Sequence, residues 1–233
     1  MYQGYRTGAL LLMGGSGLRF GNDHLPKQFQ LLGNQPVYRY ALETFLKWGG
    51  FDEILLVCHP DWIEKAKEHG LSHPVRIVSG EATRQGSAFA GLRGFQAPPQ
   101  FVVIHDAVRP FVSGKMIKET LDAAIRCGAA NTCIPSADTL VFAPDKDLIA
   151  SIPNREQFLR GQTPQTFRYS LILEAHQEAL KKGITDASDD CRLALALGHP
   201  IAVVNGSEKN IKITSLIDLK LAEMLLSQSK RFL

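Results

Sequence analysis

Several stretches of this 233-residue chain combine residue types suited to handling phosphate. The first is Gly14-Gly-Ser-Gly-Leu-Arg-Phe-Gly21, with Pro26-Lys-Gln28 a few residues on. Glycine lets a backbone approach phosphate oxygens closely and turn several N–H groups toward them. Arg19 adds a planar fork of donors and Lys27 a point charge. A dinucleotide fingerprint would need a glycine where Phe20 stands, and an acidic residue where the second strand ends in Cys58-His59. A Walker A loop would need Gly-Lys-Ser/Thr, which is absent. What stays open is a phosphate loop of another kind or a structural turn.

The second stretch is His105-Asp-Ala-Val-Arg-Pro110, directly after an apolar run. Asp106 at the carboxyl end of a strand could hold a divalent cation against phosphate oxygens, or cap the following turn. Arg109 could bind an anionic second substrate. In Gly80-Glu-Ala-Thr-Arg-Gln-Gly-Ser87, the residues Thr83, Arg84 and Ser87 could contact a base or ribose, or cap a helix. Asp138-Thr139, Arg155, Thr163-Pro-Gln165, Thr185-Asp186 and Lys212 are scattered polar positions, each open to a structural or solvated reading. Lys212 sits between Ile211 and Ile213, so strand alternation would turn it to solvent.

The elements that must position these residues follow from periodicity. Ala9–Met13, Glu53–Cys58, Val75–Val78 and Phe101–His105 read as short buried strands. Helical spacing covers 37–48, about 61–69, 83–94 and about 114–127. This alternation predicts a largely parallel sheet covered on both faces, and ligands of open α/β sheets gather at the carboxyl ends of strands. After Asn131 the pattern is less regular. Thr132–Pro135 reads as a strand end, 136–158 as a projecting hairpin around Ala143-Pro-Asp-Lys146, and 169–181 and 187–197 as helices. Ile201–Val204 and Asn210–Ile213 read as late strands, and 215–228 as a closing amphipathic helix. No repeat or linker divides the chain, so 1–233 is expected to be a single domain with the hairpin as an appendage.

Composition narrows the classes. The formal charge of +3, from 26 basic and 23 acidic residues, is too small to argue for nucleic acid or membrane. Four cysteines without a C-x-x-C pair argue against zinc and a disulfide framework, and favour a reducing cytoplasm. No run reaches transmembrane length and the first residues lack a signal-peptide core.

The ordered set of segments resembles the cytidylyltransferases that activate sugar-alcohol phosphates, the family of the 2-C-methyl-D-erythritol 4-phosphate and ribitol-5-phosphate enzymes. It comprises the glycine loop with Arg19, Leu25-Pro-Lys-Gln-Phe29, Arg84-Gln-Gly-Ser87, His105–Pro110, Asp138-Thr139, Arg155, Gln162–Phe167, Thr185-Asp186 and Asn210–Thr214. The resemblance spans nearly the whole chain. It implies a Rossmann-like nucleotidyltransferase fold with a β-arm at about 136–158 reaching a second subunit, CTP as nucleotide, Mg²⁺, and a homodimer. It implies that Arg19 and Lys27, with Lys212, are catalytic. Met13, Gly14, Gly15, Ser16, Gly17, Gly80, Arg84 and Ser87 would bind the nucleotide and Asp106 the metal. Arg109, Thr139, Arg155, Thr163 and Thr185 would surround the polyol phosphate. The chain departs from the family at Met13-Gly14-Gly15, which is similar to the ribitol branch, and at Glu81-Ala82-Thr83 and Gly86, which bear on base recognition. Gly198-His-Pro-Ile201 and Asn205–Lys212 are more similar to the methylerythritol branch.

The expected reaction is in-line attack of an acceptor phosphate oxygen on the α-phosphorus of CTP, with pyrophosphate leaving. The nucleophile is already ionised, so positioning and charge stabilisation suffice and no general base is needed. The favoured acceptor is 2-C-methyl-D-erythritol 4-phosphate, with ribitol 5-phosphate as the alternative. Two other classes compete: an NAD-dependent oxidoreductase, which the missing glycine and acidic residue disfavour, and a non-catalytic nucleotide-binding protein, which would not need Arg19, Lys27 and Asp106 together.

Overall fold

The computed structural model describes residues 1–14, 25–68, 70–71 and 73–230. Gly15, Ser16, Gly17 and Arg19 therefore lie outside the described residues.

The chain opens with strand β1 (Thr7–Met13), buried along its whole length. A small hairpin of β2 (Leu31–Leu32) and β3 (Gln35–Pro36), too short to read from sequence, leads into helix α1 (Val37–Trp48). Gly49 at φ +76° ends α1 in the left-handed conformation that glycine adopts without a Cβ penalty. There follow β4 (Glu53–Cys58), the short α2 (Ile63–Lys67), β5 (Val75–Ser79), α3 (Arg84–Arg93), β6 (Phe101–Asp106) and α4 (Gly114–Cys127). Next come β7 (Ala129–Pro135), β8 (Leu159–Arg168), α5 (Tyr169–Lys181), α6 (Asp190–Ala196), β9 (Ala202–Asn205) and α7 (Leu216–Lys230).

Seven strands form one sheet in the order β5-β4-β1-β6-β8-β7-β9. All neighbours are parallel except at β8, which runs antiparallel to both β6 and β7. This is the expected α/β, Rossmann-like architecture. Side chains alternate between two apolar layers. Leu11, Phe45, Leu56, Val103 and Leu121 pack on the face covered by α1 and α4. Leu10, Val57, Leu92, Ile104, Phe167, Ile172 and Leu193 pack on the other, under α3, α5 and α6. Burial on both faces is why the parallel strands read as unbroken apolar runs.

Two sequence expectations differ from the structure. The segment Leu159–Arg168 is a strand that its glycine, proline and glutamines concealed; it forms because β6 and β7 supply partners on both edges. Asn210–Ile213 is not a strand: Ile213 N–H bonds Val108 O at 2.9 Å, Asn210 N–H bonds Ser207 O at 3.0 Å, and side chains of Gln162 and Arg109 hold Asn210 as well. The 136–158 hairpin is minimal, with one antiparallel bridge between Phe142 and Ser151. Among the described residues no helix is long and apolar enough to cross a membrane.

Candidate active site

The connections from β1 lead toward β4 and β5 on one side, whereas β6 lies on the other, so the strand order reverses between β1 and β6. Such a switch point leaves a crevice outside the carboxyl ends of the strands. The crevice here is lined by Gly14, Lys27, Arg84, Ser87, Asp106 and Lys212, together with Leu12, Val108 and Glu81-Ala82-Thr83. Seven residues singled out from the sequence, Thr83 included, thus meet, although they span about two hundred positions of the chain.

Local contacts explain how each arrives. The buried Gln28 donates its Nε2–H to Met13 O at 2.8 Å, which pins the segment carrying Lys27 to the end of β1. Ser87 Oγ accepts from Glu81 N–H and donates to Glu81 O, both at 3.0 Å, and so shapes the turn before α3. Little room is left beside it: a Cβ on Gly80 would stand 2.9 Å from Ser87 Oγ, and one on Gly14 3.2 Å from the same atom. Thr83 caps α3 by accepting from Gly86 N–H at 3.0 Å, so the capping alternative holds for this residue.

Asp106 is the electrostatic centre. Lys212 Nζ lies 2.8 Å from its Oδ2, Arg84 Nε 3.4 Å from Oδ1, and Arg109 Nε 3.9 Å from Oδ2. Burial alone would raise this carboxyl, but the charges of Arg84, Lys212 and Arg109 outweigh it and hold Asp106 well below the usual carboxylate range. Arg84 is shared: its Nη1 also meets Asp190 Oδ2 at 2.7 Å. Burial would lower the Arg84 guanidinium, yet Asp190 and Asp106 together raise it. Asp190 in turn accepts from His176 Nε2 at 3.0 Å, with both residues buried. Cations outnumber carboxylates around the described part of the cleft, which suits an anionic ligand.

His105, fully buried, faces away from this role. Burial pushes its imidazole down to about 4 against the opposing pull of Asp106, so the ring is neutral near pH 7. It bonds Thr163 Oγ1 and Arg109 O. Lys212 departs from the solvent-facing alternative that strand alternation offered. Without a strand there is no alternation to turn it outward, and Asn210, buried and bonded to Gln162 and Thr163, fixes its segment beside Asp106.

Residues 8–228 match the family described as IspD: 2-C-methyl-D-erythritol 4-phosphate cytidylyltransferase. The chain belongs to this family. Among its relatives, the ribitol-5-phosphate cytidylyltransferase of Lactiplantibacillus plantarum is 32% identical over 229 residues, covering 94% of this chain and 98% of that protein. The structure of 4-diphosphocytidyl-2C-methyl-D-erythritol synthase from Anaerococcus prevotii superposes with a TM-score of 0.85 at 30% identity, covering 96% of each chain. That of 2-C-methyl-D-erythritol 4-phosphate cytidylyltransferase from Thermus thermophilus gives 0.75 at 34% identity, over 94% of this chain and 98% of that one. The protein is a cytidylyltransferase of the IspD family.

The site residues expected of an IspD-family enzyme are not all gathered in the cleft. Met13 ends β1 with its side chain in the core. Arg109 is mostly buried and donates to Asn210 O at 2.9 Å, beside Asp106. Thr163 is buried, its hydroxyl directed at His105 and the Asp106 N–H. Thr139 and Arg155 are exposed at the base of the hairpin, where Arg155 donates to Ala137 O at 3.0 Å. Thr185 is exposed on the far side of the α3 N-terminus, its carbonyl accepting from Thr83 Oγ1. Asp189 and Asp190 were missed by sequence reasoning. Asp189 caps α6 and accepts from Gln165 Nε2 at 2.7 Å. An acidic pair ahead of an apolar run signals a helix start, but nothing in it signals burial against Arg84.

Proposed function

We propose that this IspD-family enzyme transfers the cytidylyl group of CTP to 2-C-methyl-D-erythritol 4-phosphate and releases pyrophosphate. The observation that carries the reading is the cleft at the β1/β6 switch point, lined by Lys27, where Arg84, Lys212 and Arg109 converge on the ionised Asp106. An acceptor phosphate oxygen forms the new bond to the α-phosphorus as the bond to the β-phosphate breaks. Lys27 and Arg19 stabilise charge on the pentacoordinate phosphorus, while Gly14, Gly80, Arg84 and Ser87, with Gly15, Ser16 and Gly17, hold the nucleotide. The neutral, buried His105 supports a mechanism without a general base.

Mg²⁺ fits the donor set. Among the described residues no group of three or more His, Cys, Asp or Glu side chains is placed to hold a metal ion. A single carboxylate suits a cation that takes its other ligands from phosphates and water. Asp106 would hold it, and when bound it would neutralise phosphate charge. Lys212, now paired with Asp106, would then be released toward the acceptor phosphate.

The hairpin supports a homodimer in this reading. Leu148, Ile149 and Ile152 are 81%, 60% and 62% exposed, a density of apolar surface that a second subunit would cover. Thr139 and Arg155, on the same element, would serve the acceptor site of that subunit. The four unpaired cysteines suit a cytoplasmic setting.

Ribitol 5-phosphate is the second acceptor to test, because the ribitol-5-phosphate relative matches nearly end to end. The test is a pyrophosphate-release matrix of four nucleoside triphosphates against both polyol phosphates. The proposal expects the highest kcat/KM for CTP with 2-C-methyl-D-erythritol 4-phosphate. A preference for ribitol 5-phosphate replaces the acceptor, and no release with either refutes the transfer.

A further inference from the structure

One guanidinium serves two carboxylates at the back of the cleft. Arg84, the first residue of α3, reaches Asp190 Oδ2 with Nη1 at 2.7 Å and Asp106 Oδ1 with Nε at 3.4 Å. An arginine fork is built to make two parallel bonds to a single carboxylate. Here the fork is split, and the shorter bond goes to the carboxylate that does not line the cleft.

Asp190 is the fixed end of this arrangement. It is the first residue of α6 and is 1% exposed. Its other oxygen, Oδ1, accepts from His176 Nε2 at 3.0 Å. The His176 ring is buried in turn and stacks on Phe89 of α3, with centroids 5.7 Å apart and planes 10° apart. Both oxygens of Asp190 are thus engaged, one by α3 and one by α5. The neighbouring Asp189 ties the start of α6 to Gln165 on β8 at 2.7 Å. Asp106 is the adaptable end. Lys212 holds its Oδ2 at 2.8 Å, whereas Oδ1 has the looser contact, to Arg84. A divalent cation therefore displaces least by taking Oδ1, as long as Arg84 does not close on it. Without Asp190, a guanidinium that is largely buried would turn its whole fork to the carboxylate that remains.

We infer that Asp190 is a positioning residue: by holding Arg84 through Nη1 it keeps the guanidinium from closing on Asp106, and so keeps Asp106 Oδ1 open to the divalent cation. The inference rests on the metal role proposed above for Asp106.

Mn²⁺ alone, without nucleotide, is the probe, and the enhancement of water-proton relaxation by bound Mn²⁺ is the readout, so the test needs no turnover. Wild-type protein is expected to bind Mn²⁺ at a site that Asp106→Asn abolishes. Asp190→Asn keeps the side chain's shape and should weaken that site about tenfold or more, the usual cost of losing a residue that orients a metal ligand. Arg84→Gln removes the competing guanidinium and should bind Mn²⁺ at least as tightly as wild type. The double variant, Arg84→Gln with Asp190→Asn, removes both charges of the buried pair and should match Arg84→Gln within about twofold. Unchanged Mn²⁺ affinity in folded Asp190→Asn overturns the inference. So does a double variant that binds about tenfold more weakly than Arg84→Gln, a comparison that holds even where Asp190→Asn alone fails to fold. Mn²⁺ binding indifferent to Asp106→Asn overturns the cation site and the inference with it. Wild-type protein that binds Mn²⁺ at Asp106 but releases no pyrophosphate would refute the transfer reading and leave this inference standing.

Discussion

Replacing Asp190 with alanine tests whether the charge network behind the cleft holds the fold as well as the site. Asp190 is 1% exposed and accepts from Arg84 and His176, while the Arg84 side chain is 21% exposed. Removing one member of a buried pair strands the other; such truncations cost about 3–5 kcal/mol. Arg84 keeps Asp106 at 3.4 Å and some water, so the lower end applies, about 3 kcal/mol. For a domain of this size each kcal/mol shifts Tm by roughly 2–4 °C, and a fall of about 6–12 °C at neutral pH is expected in a calorimetric or circular-dichroism melt. The acid limb sharpens the test. Burial would raise the Asp190 carboxyl, but Arg84 and His176 hold it below the ordinary aspartate value of 3.8. Its contribution is therefore complete above that value and lost as pH falls through the folded one. The gap between the wild-type and Asp190→Ala curves should hold from pH 7 down to about 4 and close only below it. A Tm loss below about 2 °C at neutral pH, or a gap that widens in acid, would refute the reasoning.

Three further outcomes are expected. Lys27→Ala should lower kcat by about 10²–10³-fold with the melting curve unchanged, and near-normal turnover would remove Lys27 from the mechanism. Asp106→Asn should raise the Mg²⁺ concentration for half-maximal activity about tenfold or more, and an unaltered metal titration would count against its role as ligand. Burial pushes the Cys58 thiol up to about 11 and raises Cys191 as well, whereas Cys127 is exposed. A thiol reagent near neutral pH should modify Cys127 first, with Cys58 and Cys191 reacting after unfolding; equal native rates in peptide mapping would contradict their burial.

The sheet was legible wherever a strand is buried on both faces. Glu53–Cys58 and residues 37–48 coincide with β4 and α1, and Phe101–His105 falls one residue short of β6, because unbroken apolar runs and helical spacing reflect local geometry. The second half was harder. In β8 the inward positions include Gln162, Thr163, Gln165 and Thr166, polar side chains whose burial depends on partners far away in sequence. Asn210–Ile213 has a strand's pattern but no edge to pair with; side-chain bonds from Gln162 and Arg109 hold it instead.

By itself the sequence determined that a glycine-rich segment follows the first strand, that Lys27 and Arg84 lie near strand ends, and that Asp106 closes the fourth long strand. Each is a matter of residue type and short-range spacing. The tertiary structure decided which of these groups meet. Lys212 reaches Asp106 across 106 positions of chain, Asp190 neutralises part of Arg84 from another helix, and Thr163 enters through a bulge in a strand of opposite direction. Those contacts arise from the order of strands in the sheet and the packing of helices upon it, which no local pattern encodes.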